Sequence, residues 1–319
     1  MTADRARRLQ ELAPWIAGAL LAAPVLAFRY PPMGDLPMHE ALVAILRHGG
    51  EPAWGHGLYV FVVPQANQLF HYLALALSFV MATDTACKLV VALTLVGSVA
   101  GTARLLARLG RSRWGALLVA PVVCGWMFRW GLVANLLGFA VLAAAVPTLE
   151  SLARRPSVGR AARALVALAV VFLAHESSAV IFAVVAAYFA VVRWSGARSF
   201  ALRVSPTVVA LVLVAAQSAR ARGLMGPTMR AIADDFGPEP FERIALLPGA
   251  LFGGIGAARL AGLGAVTLAA LVAGALGVRR IRRTVPLRVV CWHHRYAVLA
   301  ALFFLLYLVF PMYAGGTTL

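Results

Sequence analysis

The sequence predicts an all-α polytopic membrane protein, with about nine transmembrane helices and interfacial helices in a long first outer loop. Three observations predict it. Hydrophobic residues make up 62% of the 319 positions and charged residues 13%, against about half and about a quarter in a soluble domain. The apolar residues come in long blocks, many of them near the length that a helix needs to cross a bilayer. The basic residues cluster between those blocks. This composition excludes a soluble globular enzyme, a disordered chain and a fibrous one. The chain reads as a single integral membrane domain, 1–319.

Arg5, Arg7 and Arg8 precede an apolar run from Trp15 to Phe28. Nothing soluble follows, so an uncleaved first helix over 12–28 is expected rather than a signal peptide. Residues 29–85 form the first outer loop. Further crossings are expected at 86–106, 114–130, 132–149, 163–176, 177–193, 204–219, 249–278 and 296–313. Outer connections then fall near 129–133, near 175–177 and at 220–248, the second outer loop. The pair 163–193 is a tight hairpin of 31 residues; one long helix is the alternative and would reverse every later loop. The glycines between Gly249 and Gly264 form a small-residue face suited to close helix packing.

Orientation follows from charge. Net charge is +17, and 28 of the 29 basic residues are Arg, with Lys88 the one lysine. Twenty of the 28 arginines lie in clusters at 5–8, 104–113, 154–163, 193–203 and 279–295. Short Arg-rich loops stay in the cytoplasm and contact anionic headgroups, so nucleic acid is not expected as a partner. The segment 58–82 decides the count. If it spans, 9 arginines lie inside and 19 outside; if it lies along the outer interface, 20 lie inside and 8 outside. The second arrangement obeys the positive-inside rule. Pro64, Gln65, Asn67, Gln68 and His71 also interrupt the segment in a way that a lipid-buried span resists. We therefore expect a helix near 67–82 that lies in the membrane plane. The arginine run 279–283 is a topology anchor.

The same topology sorts the other ionisable residues. Nine of twelve acidic residues and five of seven histidines fall outside, although acidic residues contribute little to topology. Chemistry is thus expected at the outer face, and three short motifs lie there. Gly34-Asp35-Leu36-Pro37-Met38-His39-Glu40 follows the first helix. Pro37 suits the first turn of a helix running to about His48, with Asp35 at its mouth and His39 four residues on, on the same face. Asp35 can take a proton from an acceptor hydroxyl or merely cap the helix. Met127-Phe128-Arg129-Trp130-Gly131, with Asn135, forms the second. Arg129 can bind phosphate through its planar fork or snorkel beside an interfacial Trp. His175-Glu176-Ser177-Ser178 is the third, an ionisable pair in an apolar block, either functional or a polar turn. Helix interiors read as nearly free of charge. Cys87, Cys124 and Cys291 are too far apart to suggest a disulfide framework or zinc site.

In order and pattern, residues 1–200 resemble the C-type superfamily of integral membrane glycosyltransferases. Gly34-Asp35-Leu36-Pro37-Met38-His39 resembles the acidic opening of that family's first outer loop. Pro64 through Leu89 resembles its amphipathic surface stretch, and His175-Glu176-Ser177-Ser178 its polar hairpin turn. The resemblance implies transfer of a sugar from a polyprenyl-phosphate donor to an acceptor glycan, lipid or protein at the outer face of a bacterial inner (plasma) membrane. It implies Asp35 and His39 as catalytic residues, with Glu40, Arg129, Asn135, His175 and Glu176 binding substrate. Many members carry a second acidic residue where this chain has Arg129 to Asn135, so no metal or other cofactor is expected. The chain is read as either a compact member or one truncated at its C-terminus. The alternative function is a non-catalytic membrane protein: a transporter, a flippase or an inactive family member.

The 20-to-8 arginine split makes a labelling prediction. In a background without native cysteines, cysteines at Ser157 and Ser199 should resist an impermeant thiol reagent in intact cells. One at Ala231 should react. Labelling at Ser157 but not at Ala231 would invert the topology.

Overall fold

The computed structural model describes residues 3–54, 65–224 and 286–309, and two-residue strands at Tyr313–Ala314 and Thr317–Thr318 that pair antiparallel. Apart from that pairing it is helical. The order is α1 (Ala3–Ala27), α2 (Leu36–His48), α3 (Leu69–Ser78), α4 (Thr83–Arg108), α5 (Val119–Val123), α6 (Trp126–Trp130), α7 (Val133–Arg154), α8 (Val158–Ala174), α9 (Glu176–Val192), α10 (Ala197–Leu224), α11 (Leu287–His293) and α12 (Arg295–Val309). Short 3-10 turns lie at Pro52–Trp54 and Arg113–Leu118.

Four helical segments are long and apolar enough to cross a membrane: Arg8–Ala27, Thr83–Arg108, Val133–Arg154 and Ala197–Arg220. They answer the expected crossings at 12–28, 86–106, 132–149 and 204–219. The hairpin 163–193 is two helices of 17 residues each, broken at His175, and α12 has 15 residues. Two segments differ from simple spans. The block 114–130 is not one helix: a 3-10 turn, α5 and α6 share it, because Gly115, Pro121 and Gly125 interrupt the ladder of i to i−4 bonds. The segment 58–82 holds α3, whose 10 residues reach only about 15 Å at 1.5 Å per residue, half a hydrocarbon core. Residues 58–64 lie outside the described residues, as do the second outer loop beyond Leu224, the glycine-rich stretch 249–278 and the arginine run 279–283.

The chain packs as two compact units. The first comprises Met1–Thr148 and Ala164–Phe182. Its core gathers Val25 from α1, Leu36 and Val43 from α2, Phe70 from α3, Val91 and Leu95 from α4, and Leu136 from α7. α1 lies along α4, and Gly18 makes the closest approach: a Cβ there would sit 2.8 Å from the Val96 Cα. The far side of α1 exposes Ile16 and Leu20, which suits a helix whose solvent is lipid. α4 ends in a Schellman turn. Gly110 sits at φ +66°, Arg111 N–H donates to Leu106 O at 2.9 Å and Gly110 N–H to Ala107 O at 3.0 Å, so two orphan carbonyls are satisfied.

The second unit comprises Leu149–Arg163 and Ala183–Leu319. Thr207 Oγ1 donates to Ala183 O at 2.9 Å and Tyr188 OH to Cys291 O at 2.8 Å, tying α9 to α10 and α11. Leu211 and Val212 on α10 are exposed. Three charged side chains lie buried within the long helices of the two units, Lys88, Glu150 and Arg203. Helix interiors nearly free of charge are expected from the sequence, and these three are the exceptions; burial is tolerated because each has a partner, Asp84, Arg295 and the Ala153 carbonyl.

Two glycines in helices of the first unit separate helix propensity from close packing. Ala exceeds Gly by roughly 1 kcal/mol in a helix interior. At Gly97 a Cβ meets only Ala140 Cβ, at 3.8 Å, so Gly97→Ala should be neutral or raise the melting temperature. Gly18→Ala presses on the α4 backbone and should lower it. A rise for both would show that α1 does not pack against α4 through Gly18.

Candidate functional site

The three sequence motifs lie in the first unit. Its first link is backbone to backbone. Gly34 N–H donates to Arg129 O at 2.9 Å and Asp35 N–H to Trp130 O at 2.8 Å, so the start of α2 is stitched to the end of α6. Gly131 makes this possible. Its φ is +78°, and a Cβ there would lie 2.7 Å from the Asp35 nitrogen and 2.9 Å from that of Leu36. Any side chain would be forced into a left-handed conformation and against an amide at once.

Asp35 occupies the N-cap position of α2, but its side chain makes no capping hydrogen bond. The carboxylate is half-buried and acts electrostatically on His39, one turn on. His39 Nδ1 and His71 Nε2 are 3.0 Å apart, their rings tilted and their centroids 5.1 Å apart. The His39 ring also hydrogen-bonds the Gly131 backbone, and the His71 ring that of Asn67. Asn67 stands at φ +65°, unusual outside glycine and tolerated best by Asn. Its Oδ1 accepts the Glu176 N–H at 3.2 Å, and its side chain also hydrogen-bonds the Glu176 carboxyl. A chain of polar contacts thus runs from Gly131 through His39, His71 and Asn67 to Glu176.

His175 and Glu176 are both buried, so the α8–α9 turn is not a solvated one. His175 Nδ1 accepts the Ser177 N–H at 3.2 Å and lies 2.6 Å from Ser177 Oγ. Gly138 on α7 admits this turn: a Cβ there would fall 2.6 Å from His175 Cβ. Arg129 joins the site through its backbone, while its side chain is exposed. Asn135 is half-buried in the first turn of α7, and no hydrogen bond joins it to the chain of contacts among the described residues. Glu40 turns elsewhere. It interacts with Asp84 and Lys88 of α4, themselves paired at 3.6 Å.

Burial sets the protonation of the rings. It pushes His71 down to about 4, with the neighbouring His39 adding to the shift. Burial also lowers His39, against the opposing pull of Asp35 and the Gly131 backbone. Both imidazoles are therefore neutral at pH 7, the form in which one ring can donate to the other. For Glu40, burial raises the carboxyl above its ordinary value and Asp84 adds to this, with Lys88 acting against them.

Two participants, His71 and Asn67, were read in the sequence only as interruptions of an apolar surface stretch. That polarity was the available signal; nothing local joined them to His39 or to Glu176, 109 residues beyond Asn67. No group of three or more His, Cys, Asp or Glu side chains is placed to hold a metal ion among the described residues. No protein-family model, curated protein or solved structure matches the chain.

The depressed histidines make stability depend on pH. The unfolded chain takes up a proton near the ordinary value of about 6.5, while folded His71 waits until about 4. Between those values the unfolded state binds more protons, so stability falls as pH drops through the window and levels off below it. The melting temperature of the purified protein should fall between pH 6.5 and 4, and His71→Gln should flatten that slope. An unchanged slope in the variant would show that the pair does not titrate in this way.

Proposed function

We propose that the protein is an outer-face membrane glycosyltransferase using a polyprenyl-phosphate-linked sugar, in a bacterial plasma membrane with the N-terminus cytoplasmic. The observation that carries this reading is the junction of Asp35 with Arg129 and Trp130. It puts a half-buried carboxylate with no capping bond beside a segment bearing an exposed guanidinium. The division of roles is chemical. Arg129 binds the donor phosphate. Asp35 accepts the proton of the acceptor hydroxyl as its oxygen attacks the anomeric carbon. The bond from that carbon to the phosphate oxygen breaks, and polyprenyl phosphate leaves. His39 orients Asp35, and the His71–Asn67–Glu176 contacts hold His39. His175 supports the same turn as Glu176. The resemblance over residues 1–200 supplies the reaction class, and the four candidate membrane-spanning helices fit a lipid-linked donor.

A transporter is the second reading, favoured by one observation. Lys88 is buried within α4, a candidate span, paired with Asp84 and near Glu40. Ionisable groups within spans mark transport pathways in many membrane proteins.

Asp35→Asn separates these roles. Asn caps a helix about as well as Asp, so the variant should fold with an unchanged melting temperature. Transfer of sugar from polyprenyl phosphate in reconstituted membranes should drop by roughly 10²–10⁴-fold, the usual contribution of a general base. Full activity in the variant would remove Asp35 from the chemistry. Transport activity abolished by Lys88→Met, with no transfer by the wild-type protein, would favour the second reading.

A further inference from the structure

The second unit gathers four arginines from three different basic clusters of the sequence. Arg154 closes α7, Arg193 follows α9, Arg203 lies in α10 and Arg295 opens α12. Three of them surround one indole: the guanidinium carbons of Arg154, Arg193 and Arg295 lie 5.7, 5.0 and 4.8 Å from the Trp292 ring centroid. Arg203 is near enough to Arg193 for their charges to interact.

Among the described residues only one carboxylate balances them, and it is already engaged. Glu150 Oε1 accepts from Arg295 Nε at 2.7 Å and from Tyr296 OH at 2.9 Å, and lies 2.6 Å from Arg295 Nη2. Arg203 is also tied down, through Nε to Ala153 O at 3.1 Å and Nη1 to Ser195 Oγ at 3.0 Å. Arg154 and Arg193 differ. Their guanidinium groups make no ion pair or hydrogen bond among the described residues, and the Trp292 face is what holds them. Helix dipoles do not settle the imbalance. The C-termini of α7 and α9 favour cations, but the N-termini of α10 and α12 oppose them. Positive charges brought this close repel one another, so the arrangement is complementary to an anion. Two free planar forks beside a half-buried indole suit a phosphate at a membrane surface, where Trp sits at headgroup depth.

We propose that Arg154 and Arg193, on the Trp292 platform and backed by Arg203 and the Glu150–Arg295 pair, bind the phosphate of an anionic ligand: an acidic phospholipid headgroup or a free phosphate. This site is independent of the transferase reading and shares no residue with it.

The test is native mass spectrometry of the delipidated full chain, titrated with phosphatidylglycerol, phosphatidylcholine and inorganic phosphate. Wild-type protein should bind phosphatidylglycerol at least tenfold more tightly than phosphatidylcholine, or else bind inorganic phosphate. Arg154→Gln with Arg193→Gln should weaken that binding by about tenfold per residue, the scale of one charged hydrogen bond. Arg163→Gln removes the same charge from an exposed α8 position and should leave it within twofold. Displacement of the lipid by millimolar phosphate identifies a free-phosphate site; resistance to it identifies a headgroup site. Equal affinity for the two lipids with no phosphate binding overturns the proposal, and this comparison needs no variant. So does a double variant that keeps wild-type binding, or an Arg163→Gln loss as large as the double variant's.

Discussion

The absent side chain of Gly131 is the constraint on which the first unit depends. Because a Cβ there would strike the amides of Asp35 and Leu36, only glycine lets Gly34 and Asp35, at the start of α2, donate their two backbone bonds to the end of α6. Those bonds fix the direction in which α2 leaves the first long helix. That direction carries His39 to His71, and the register of α3 then sets Asn67 against Glu176. The Asp35 carboxylate makes no capping bond to its own helix, while its backbone amide donates to Trp130 O.

Polar groups follow one rule in both units. In surroundings where water is scarce, an unpaired donor or charge is expensive, so buried polar residues find partners within their own helix, as Thr94 and Lys88 do, or on another element. In the first unit the chain from Gly131 to Glu176 is neutral, two imidazoles, an amide and backbone groups with the carboxyls of Asp35 and Glu176 at its edges, and the charged Lys88–Asp84 pair stands apart from it on α4. In the second the partners are charged, with Glu150 shared between Arg295 and Tyr296. A neutral relay can rearrange its protons at little cost, which suits acid–base chemistry. A surplus of guanidinium groups around an indole cannot neutralise itself, which suits holding an anion.

Much of the architecture was legible in the sequence. Apolar blocks of 16 to 21 residues marked four long helices, and Pro37 after Asp35 marked the start of α2. Both signals are local: helix length and first-turn chemistry depend on residues within a few positions of each other. The same blocks overstated continuity at 114–130, because hydropathy ignores what Gly115, Pro121 and Gly125 do to a helix.

The sequence by itself determined which segments avoid water, where ionisable residues interrupt them, and which short motifs carry reactive groups. Tertiary structure alone decided which of those residues meet. Asn67 and Glu176, His39 and His71, or Arg154 and Trp292 are joined by packing across tens to more than a hundred residues, and no pattern of spacing encodes such a pairing. It decided as well that Glu40 turns toward α4 while His39, one residue before it, turns toward α3. Adjacent positions on a helix point about 100° apart, so one helix served two neighbours, and only the placement of those neighbours assigned each side chain its role.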